Sequence, residues 1–571
     1  MSTTLSAAAR ASRARGAGCE LHSGLCYFYN GIVHTMNPAA PVSPHLLVQG
    51  NRVWHCSNDA APLGLDFRDS AFAVTKRNMS RDVQFIDLGG RTVIPGLVDA
   101  HVHFLWWALN LKLADLSTAR SEDQAVQMLK GHCSNAKPGE WIVGFGWSHN
   151  AWKAPGLPSS RSLDEAFAAN PVYLSSKCGH LAWVNSAALA AAEVTASTGD
   201  PAGGEIERAE GRITGILKET ANALVHDRIA APTDEQRMNA LRQGQEIAHS
   251  LGITGMHTPE DLDTWGFMQR AHENKELTMR VNFWIPASAL ESLESLQIRH
   301  GLGDDRLRIG AVKLFSDGSL GGRTALMQAP YENEPENFGI CVCEADEIER
   351  ITLKANRAGL AMAIHAIGDK AVDNVLRAYE SAQDQLRSEG GAPPIQNRIE
   401  HLQVLSPEFV PRLQKVRPIA SMQPVHLCAD MGPADRFWGA RGRYAYAFRT
   451  LQEAGCTLAF GSDAPVEPVN PFYGLYAATT RRSLENEPAG GWYPEEKISL
   501  QCALEAYTIN TAVASGQAAQ LGSLAPGKLA DFVVVEQDPF EVSPAELRDI
   551  KPVATYSGGR LVWGGEFMDG G

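Results

Sequence analysis

Short apolar segments of strand length alternate eight times with longer segments of helical character along the middle of the chain. The apolar segments are TVIPGLVDAHVHF, ITGMHT, RVNFWI, RIGAVKLFSDG, AMAIHAIGD, RIEHLQV, IASMQPVH and TLAFGSDAPV. Most of them precede a segment that can form a helix, as KAVDNVLRAYESAQDQLRSEG does after the fifth. Eight βα units favour a closed parallel barrel over an open sheet. We therefore predict the α/β class and a (β/α)8 TIM barrel.

Both ends of the chain carry short β-rich segments separated by glycine turns, such as GLCYFYNGIVHTM and PVATYSGGRLVWGGEF. We predict a small β-sandwich domain built from residues 23–90 and 515–571, with the barrel spanning 91–514. The block from about 106 to 230 is too long for an ordinary βα loop. It is predicted to be an inserted lid subdomain after the first barrel strand.

Residues 1–22 are rich in Ala, Ser and Arg and have no acidic residue before Glu20. We expect a disordered tail, although an organellar targeting peptide shares this composition. The tail lacks the central apolar segment of a secretory signal. A cytoplasmic location is therefore expected, with organellar targeting by the tail as the alternative.

The composition excludes several kinds of partner. Lys and Arg number 51 against 65 Asp and Glu, a net charge of −14, so no nucleic-acid partner is expected. No uninterrupted apolar run approaches the roughly 20 residues that span a bilayer, so no membrane partner is expected either. The ten cysteines include no C-x-x-C pair, which favours reduced thiols over disulfides or a zinc knuckle.

Side chains that can bind a metal ion fall at or near the ends of the proposed strands. They are His101, His103, Lys313, His365, His401 and Asp463. In a closed parallel barrel all strand ends meet at one rim, so these side chains should converge. Each alone is more often a core or turn residue, but burying so many polar groups costs several kcal/mol unless a cation binds them. Imidazoles and a carboxylate suit zinc, and other divalent ions remain alternatives.

Five motifs occur in a characteristic order: GLVDAHVHF, KLFSDGSLGGRTA, IHAIGDKAVD, RIEHLQ and FGSDAPVEP. With them the chain resembles the amidohydrolase superfamily of metal-dependent hydrolases. It is more closely similar to the branch of YtcJ-like proteins and N-substituted formamide deformylase, amidohydrolase family 3. The resemblance extends from about Tyr27 to Trp563. It implies a homodimer or larger homo-oligomer and says little about the substrate.

The resemblance also implies roles for single residues. His101 and His103 would bind the more buried metal ion, and His365 and His401 would bind a second one. Asp463 would be both a ligand and the proton shuttle.

The resemblance gives Lys313 a special role, in which its amine reacts with CO2 to form a carbamate that bridges two ions. Two adjacent cations disfavour an ammonium group and favour an anion at this position. The alternative is a barrel-core lysine paired with Asp317 or another carboxylate.

Together these parts predict hydrolysis of an amide-type C–N bond in a small molecule: an N-acyl compound, a formamide or a cyclic amide. Zn²⁺, as one or two ions, would activate a water molecule, and Asp463 would act first as base and then as acid. The alternative enzyme class is a metal-dependent decarboxylase or other lyase on the same barrel. A non-catalytic scaffold is the third alternative, although such relatives usually lose ligands and all six positions are filled here.

Further residues are predicted to shape the pocket. Arg323 would bind a substrate carboxylate or carbonyl, or else form a structural salt bridge, and Asp317 lies in the same substrate-binding segment. Trp147 and Trp183, in the inserted block, would contact an apolar or aromatic substrate group, or else pack in a core. His180 is the candidate catalytic residue that holds a substrate oxygen.

Overall fold

The computed structural model describes residues 24–58, 83–153, 156–390 and 396–565. The predictions for residues 1–22 lie outside the described residues. Within these ranges, no helix has both the length and the apolar character needed to cross a membrane.

Seven short strands precede the barrel. They are β1 (Leu25–Tyr29), β2 (Ile32–His34), β3 (Val42–Ser43), β4 (Leu46–Gln49), β5 (Arg52–His55), β6 (Val83–Asp87) and β7 (Thr92–Pro95). Four of them form a sheet in the order β5-β4-β1-β6. The other three join strands from the far end of the chain, described below.

The first barrel strand, β8 (Leu97–Asp99), is followed by the insertion, which has its own sheet and helices. Its elements are α1 (Phe104–Asn110), β9 (Ala114–Asp115), α2 (Glu122–His132), β10 (Ile142–Trp147), α3 (Ser160–Ala166), β11 (Val172–Ser176), β12 (Leu181–Val184), α4 (Ser186–Ala191), β13 (Gly204–Ala209), β14 (Arg212–Glu219) and α5 (Ala223–His226). The strands pair in the order β13-β14-β12-β11-β10-β9. Separate apolar clusters fill the two faces of this sheet, so the insertion carries a core of its own.

The remaining barrel strands alternate with helices. These elements are α6 (Asp234–Ser250), β15 (Ile253–Pro259), α7 (Leu262–Glu273), β16 (Arg280–Pro286), α8 (Leu290–Ser295), β17 (Leu307–Phe315), α9 (Ala345–Arg357), β18 (Ala361–Ala366), α10 (Asp369–Ser388), β19 (Arg398–His401), α11 (Val410–Val416), β20 (Ile419–Met422), α12 (Pro424–Trp438), α13 (Phe448–Glu453), β21 (Thr457–Phe460), α14 (Pro471–Thr480), α15 (Leu500–Tyr507) and α16 (Ile509–Ala514). The eight barrel strands, β8 and β15 to β21, pair in parallel in chain order. The predicted TIM barrel is confirmed.

The chain ends with three antiparallel strands that return to the N-terminal segment. They are β22 (Phe532–Val535), β23 (Pro552–Ser557) and β24 (Arg560–Gly564). The sheet order β24-β23-β22-β7-β2-β3 places strands from both ends of the chain in one sheet. The predicted β-structure built from both termini is therefore confirmed, while the domain boundaries given above stay predictions.

The first predicted strand segment, TVIPGLVDAHVHF, is two strands in the structure. β7 belongs to the terminal sheet and β8 to the barrel, and the chain changes sheets at Gly96. A Cβ atom at Gly96 would lie 2.3 Å from Oγ1 of Thr254, so only glycine allows this close approach. His101 and His103 therefore lie just beyond the end of β8. The alternation of side chains along a strand does not determine which way these two histidines point.

A buried ion pair ties the barrel to the terminal sheet. Arg280, at the start of β16, donates hydrogen bonds of 2.6 and 2.9 Å to the carboxylate of Asp531, directly before β22. Both side chains are buried. Asp305 also accepts a hydrogen bond of 2.9 Å from Arg280.

We expect Asp531→Asn to lower the free energy of unfolding by about 3 kcal/mol, because a buried guanidinium loses its main partner while Asp305 still compensates in part. Denaturant unfolding of the whole chain measures this change. Glu165→Gln, which removes the exposed pair with Arg161, is the control and should change the value by less than about 0.5 kcal/mol. Equal effects of the two substitutions would contradict this account of the ion pair.

Candidate metal centre

Three side chains from opposite ends of the barrel sequence meet at its carboxyl rim. Nε2 of His101 lies 3.5 Å from Oδ1 of Asp463, and Nε2 of His103 lies 3.4 Å from the same oxygen. The potential ligand atoms of all three residues lie within 4.8 Å of one another. Nε2 of His101 is buried and makes no hydrogen bond. Two imidazoles and a carboxylate in this arrangement are suited to one divalent cation.

The backbone brings these residues together. The backbone N–H of Asp463 donates to the carbonyl oxygen of His101 at 2.7 Å. The Asp99 carboxylate accepts hydrogen bonds from the N–H of Ser462 at 3.0 Å and from its hydroxyl at 2.5 Å. A Cβ atom at Gly461 would lie 2.4 Å from the backbone nitrogen of His101, so this position requires glycine. The glycine and serine of the FGSD motif thus hold the aspartate against the first strand.

A buried acid and base orient His101. Its Nδ1 lies 2.6 Å from Oε2 of Glu400, so the carboxylate fixes the proton on that nitrogen. Arg398 donates to Glu400 at 2.6 Å and packs over the ring of Trp284, 4.2 Å from its centroid. Burial would raise the pKa of Glu400, but Arg398 and His101 outweigh it and hold the pKa well below its ordinary value.

The charge states of His101 and Asp463 favour cation binding. Burial, followed by the Lys313 charge, lowers the pKa of His101 to about 4, which keeps its imidazole neutral. Burial opposes ionisation of Asp463, but His101 and His103 outweigh it and place its pKa well below the usual range. A neutral imidazole and an ionised carboxylate are the forms that bind a metal ion.

Lys313 lies close to this group and has no hydrogen-bond partner for its Nζ atom, which is buried. Its nearest aromatic neighbour is Phe315, whose ring centroid lies 4.5 Å from Nζ. Burial lowers the pKa of Lys313 to about 8, although Glu400 and Asp463 oppose the shift.

Among the described residues, Asp317 and Lys313 do not form an ion pair. Its carboxylate is buried and lies 3.5 Å from Nε2 of His365. It accepts backbone N–H groups from Leu326, Ile367 and Gly368. These contacts give Asp317 a role in holding the loop after β17, and it does not line the cavity described below.

His365 and His401 continue the group of imidazoles. The ring centroid of His401 lies 5.0 Å from that of His101 and 4.5 Å from that of His365. Nδ1 of His401 lies 2.8 Å from Oε1 of Gln423, and Nε2 of His365 lies 3.0 Å from the carbonyl oxygen of Gly318. The strand ends thus converge as predicted, but the tight group of ligand atoms found among the described residues is limited to the first three.

A cavity of about 580 Å³ lies between the insertion and the barrel, and His365, His401 and Asp463 line its inner end. His180 lines it from the insertion, with its ring centroid 5.4 Å from that of His365. Nδ1 of His180 lies 2.6 Å from the Glu219 carboxylate. Burial would lower the pKa of His180, but Glu219 outweighs it and raises the pKa to about 9. His180 thus lines the same cavity as Asp463, and its catalytic role stays a prediction.

The three other residues predicted to shape the pocket make contacts with neighbouring side chains of the protein. Trp147 and Trp183 pack against each other in the core of the insertion, with ring centroids 6.0 Å apart. Trp147 also borders the cavity, although its side chain is fully buried. Arg323 forms a salt bridge with Glu334 in the same loop, which is the structural alternative considered above. The tryptophan density in the insertion reflects core packing.

Sequence reasoning missed several residues of the site. His426, in the segment after β20, has its Nε2 3.9 Å from Oδ2 of Asp463 and lines the cavity. Glu400 and Asp99 were missed as the partners of His101 and Ser462. In the motif RIEH, Glu400 directly precedes His401, and in VDAH, Asp99 lies two residues before His101. This closeness to predicted ligands could have indicated that the two acids support the site.

The barrel and its rim of imidazoles and carboxylate define a TIM-barrel hydrolase. The sequence pattern of the amidohydrolase family matches residues 84–563, and the chain belongs to that family.

Relatives from plants and bacteria match nearly the whole chain. The protein LONG AFTER FAR-RED 3 of Arabidopsis thaliana is 33% identical over 94% of this chain and 91% of its own length. The putative amidohydrolase YtcJ of Bacillus subtilis is 32% identical over 85% of this chain and 91% of its own. N-substituted formamide deformylase of Arthrobacter pascens is 28% identical over 84% of this chain and 90% of its own length. The predicted resemblance to this branch is confirmed.

A solved structure agrees with the fold. An uncharacterised metal-dependent hydrolase from Pyrococcus horikoshii OT3 superposes with a TM-score of 0.71 at 28% identity. The match covers 91% of this chain and 99% of that one.

We expect Glu400→Gln to weaken binding of a divalent ion roughly 10- to 100-fold, because His101 loses the negatively charged carboxylate that orients its ring and raises its basicity. Titration of the zinc-loaded protein with a competing chelator measures the affinity. Glu408→Gln, an exposed position shortly after the same strand, is the control and should leave it unchanged. Unaltered affinity in the Glu400 variant would refute the orienting role.

Proposed function

We propose that this hydrolase cleaves an amide-type C–N bond of a small molecule and uses Zn²⁺, as one or two ions. The observation that supports this most directly is the unpartnered Nε2 of His101 beside Asp463 and His103, buried at the barrel rim. The name of the deformylase relative, which acts on N-substituted formamides, supports an amide as the bond that is cleaved.

The residues present fit a metal ion. Buried polar atoms without hydrogen bonds are costly, and both Nε2 of His101 and Nζ of Lys313 are in this state. A cation at the rim would satisfy Nε2 of His101, and conversion of the Lys313 amine to a carbamate would turn that side chain into an anionic ligand. We propose His101, His103 and Asp463 as ligands, joined by Lys313 as its carbamate, with His365 and His401 completing the site for a second ion.

A divalent ion held by these residues would supply a water molecule of lowered pKa and a Lewis acid for the carbonyl group. Asp463 faces the cavity and can hold the attacking water through its carboxylate. We propose that Asp463 accepts the proton of this water and then delivers it to the leaving nitrogen. The Asp99–Ser462 contact keeps the carboxylate in place during both transfers.

His180 lines the same cavity from the insertion. Its Nδ1 bond to Glu219 fixes the ring, so that Nε2 is available to the substrate. We propose that His180 holds the carbonyl oxygen of the amide as charge develops on it.

We also propose a cytoplasmic location and a homodimer or larger homo-oligomer. Fractionation of cells and light scattering of the purified chain test these two points.

We expect Asp463→Asn to lower kcat by roughly 100- to 10,000-fold, because an amide cannot take up the proton of the attacking water. A screen of N-formyl, N-acetyl and cyclic amides at saturating zinc identifies a substrate, and product analysis distinguishes hydrolysis from CO2 release by a lyase. Asp346→Asn, at an exposed helix start, is the control. Undiminished turnover in the Asp463 variant would refute its role as proton shuttle.

We expect the zinc-loaded protein to carry a carbamate on Lys313, because its unpartnered buried amine lies beside the proposed ions. Carbon NMR after growth with isotopically labelled bicarbonate should show one carbamate signal. The signal should disappear in Lys313→Arg. A fully zinc-loaded and active protein without this signal would remove the bridge from the mechanism.

A further inference from the structure

A second cavity, of about 770 Å³, opens at the ends of β15, β16 and β17. Lys313 lines it, whereas His365, His401 and Asp463 line the cavity beneath the insertion. The candidate metal centre therefore lies where two separate cavities approach each other. Hydrolysis of an amide produces two fragments, and this arrangement offers each fragment a cavity of its own.

Phe315, at the end of β17, forms part of the second cavity and is 40% exposed. Because side chains two residues apart in a strand point the same way, Phe315 lies directly above Lys313. Its ring centroid is 4.5 Å from Nζ of Lys313 and 5.3 Å from the ring centroid of His365. An apolar group stacked on Phe315 would thus lie next to the reacting atoms.

Apolar side chains form part of the wall of the second cavity around Phe315, namely Pro259, Pro286, Leu290, Val342 and Ile351. Charged residues also line it, and they have partners of their own; Asp261, for example, accepts the backbone N–H of Thr264 at 2.7 Å. Arg350 donates to Glu347 at 2.6 Å, and Nζ of Lys354 lies 3.4 Å from Glu291. Glu260 accepts the backbone N–H of Leu105 at 2.8 Å. These charges are therefore engaged, and the cavity is suited to burying an apolar group.

The cavity beneath the insertion has the opposite character. Lys177 and Glu467 line it and form an ion pair of 2.5 Å across the boundary between insertion and barrel. His180 and Asp430 also line it. A polar fragment finds hydrogen-bonding groups there, whereas an apolar fragment would leave these groups poorly solvated.

We propose that the substrate is an amide with one apolar alkyl or aryl substituent and one polar fragment. The apolar substituent binds over Phe315 in the second cavity, and the polar fragment binds beneath the insertion. This inference rests on the proposed amide hydrolysis. It moves the apolar contact, predicted from sequence for Trp147 and Trp183, to the other side of the metal centre.

Three small amides test the proposal with zinc-loaded full-length protein. N-phenethylformamide carries an aryl group on nitrogen, N-methyl-phenylacetamide carries one on the acyl side, and N-methylformamide carries none. In Phe315→Ala we expect kcat/KM to fall roughly 10- to 100-fold for at least one aryl amide, because the burial of its ring is lost. N-methylformamide should change less than about 2-fold, and Phe315→Leu should retain part of the aryl activity.

Phe338→Ala is the matched control, because Phe338 is 43% exposed and lies outside the residues lining either cavity. It should leave all three rates unchanged. Zinc content is measured in every variant, since Phe315 contacts Lys313 and His365. An equal loss for all three amides in Phe315→Ala, at normal zinc content, would overturn the proposal.

A binding measurement distinguishes failure of this proposal from failure of the proposed function. Calorimetry with N-phenethylformamide in Asp463→Asn, with and without Phe315→Ala, reports affinity without turnover. Weaker binding in the double variant supports the apolar subsite even if the wild-type chain hydrolyses no amide, an outcome that would overturn only the proposed function. Equal affinity in both variants, for this probe and for N-methyl-phenylacetamide, would overturn the subsite.

Discussion

The backbone hydrogen bond from Asp463 to His101 is the contact on which the site depends. It joins the segment after the last barrel strand to the segment after the first one, at an N–O distance of 2.7 Å. Asp99 strengthens the junction by accepting both the N–H and the hydroxyl of Ser462. The same few atoms that complete the barrel therefore set the positions of two imidazoles and a carboxylate. Closure of the barrel and assembly of the site thus depend on the same contacts.

Contacts in other parts of the molecule support this junction. Arg398 and Glu400 orient His101 from inside the barrel, and the terminal sheet is tied to β16 through Arg280 and Asp531. The insertion has an apolar core of its own, and polar side chains such as His180 line the cavity between it and the rim. Several buried polar atoms at the rim have no partner, which costs stability and is typical of functional sites.

The sequence could predict the barrel and the convergence at its rim, because parallel strands of a closed barrel share one end. It could not place Trp147 and Trp183, since tryptophan fills cores and binding pockets equally well. Arg323 was ambiguous for a similar reason, because its partner Glu334 lies in an irregular loop without a periodic pattern. The Pro-Gly dipeptide at the break is visible in the sequence, but the apolar residues on both sides of it favoured a single strand segment. Glu400 was missed because a buried acid is recognised only once its partners Arg398 and His101 are placed in space.

The most direct test of the central claim is anomalous X-ray diffraction at the zinc absorption edge from crystals of the zinc-loaded protein. The account predicts a zinc peak bounded by His101, His103 and Asp463, next to Lys313. A fully active, zinc-dependent protein whose zinc lies elsewhere, with these three side chains free of metal, would contradict it.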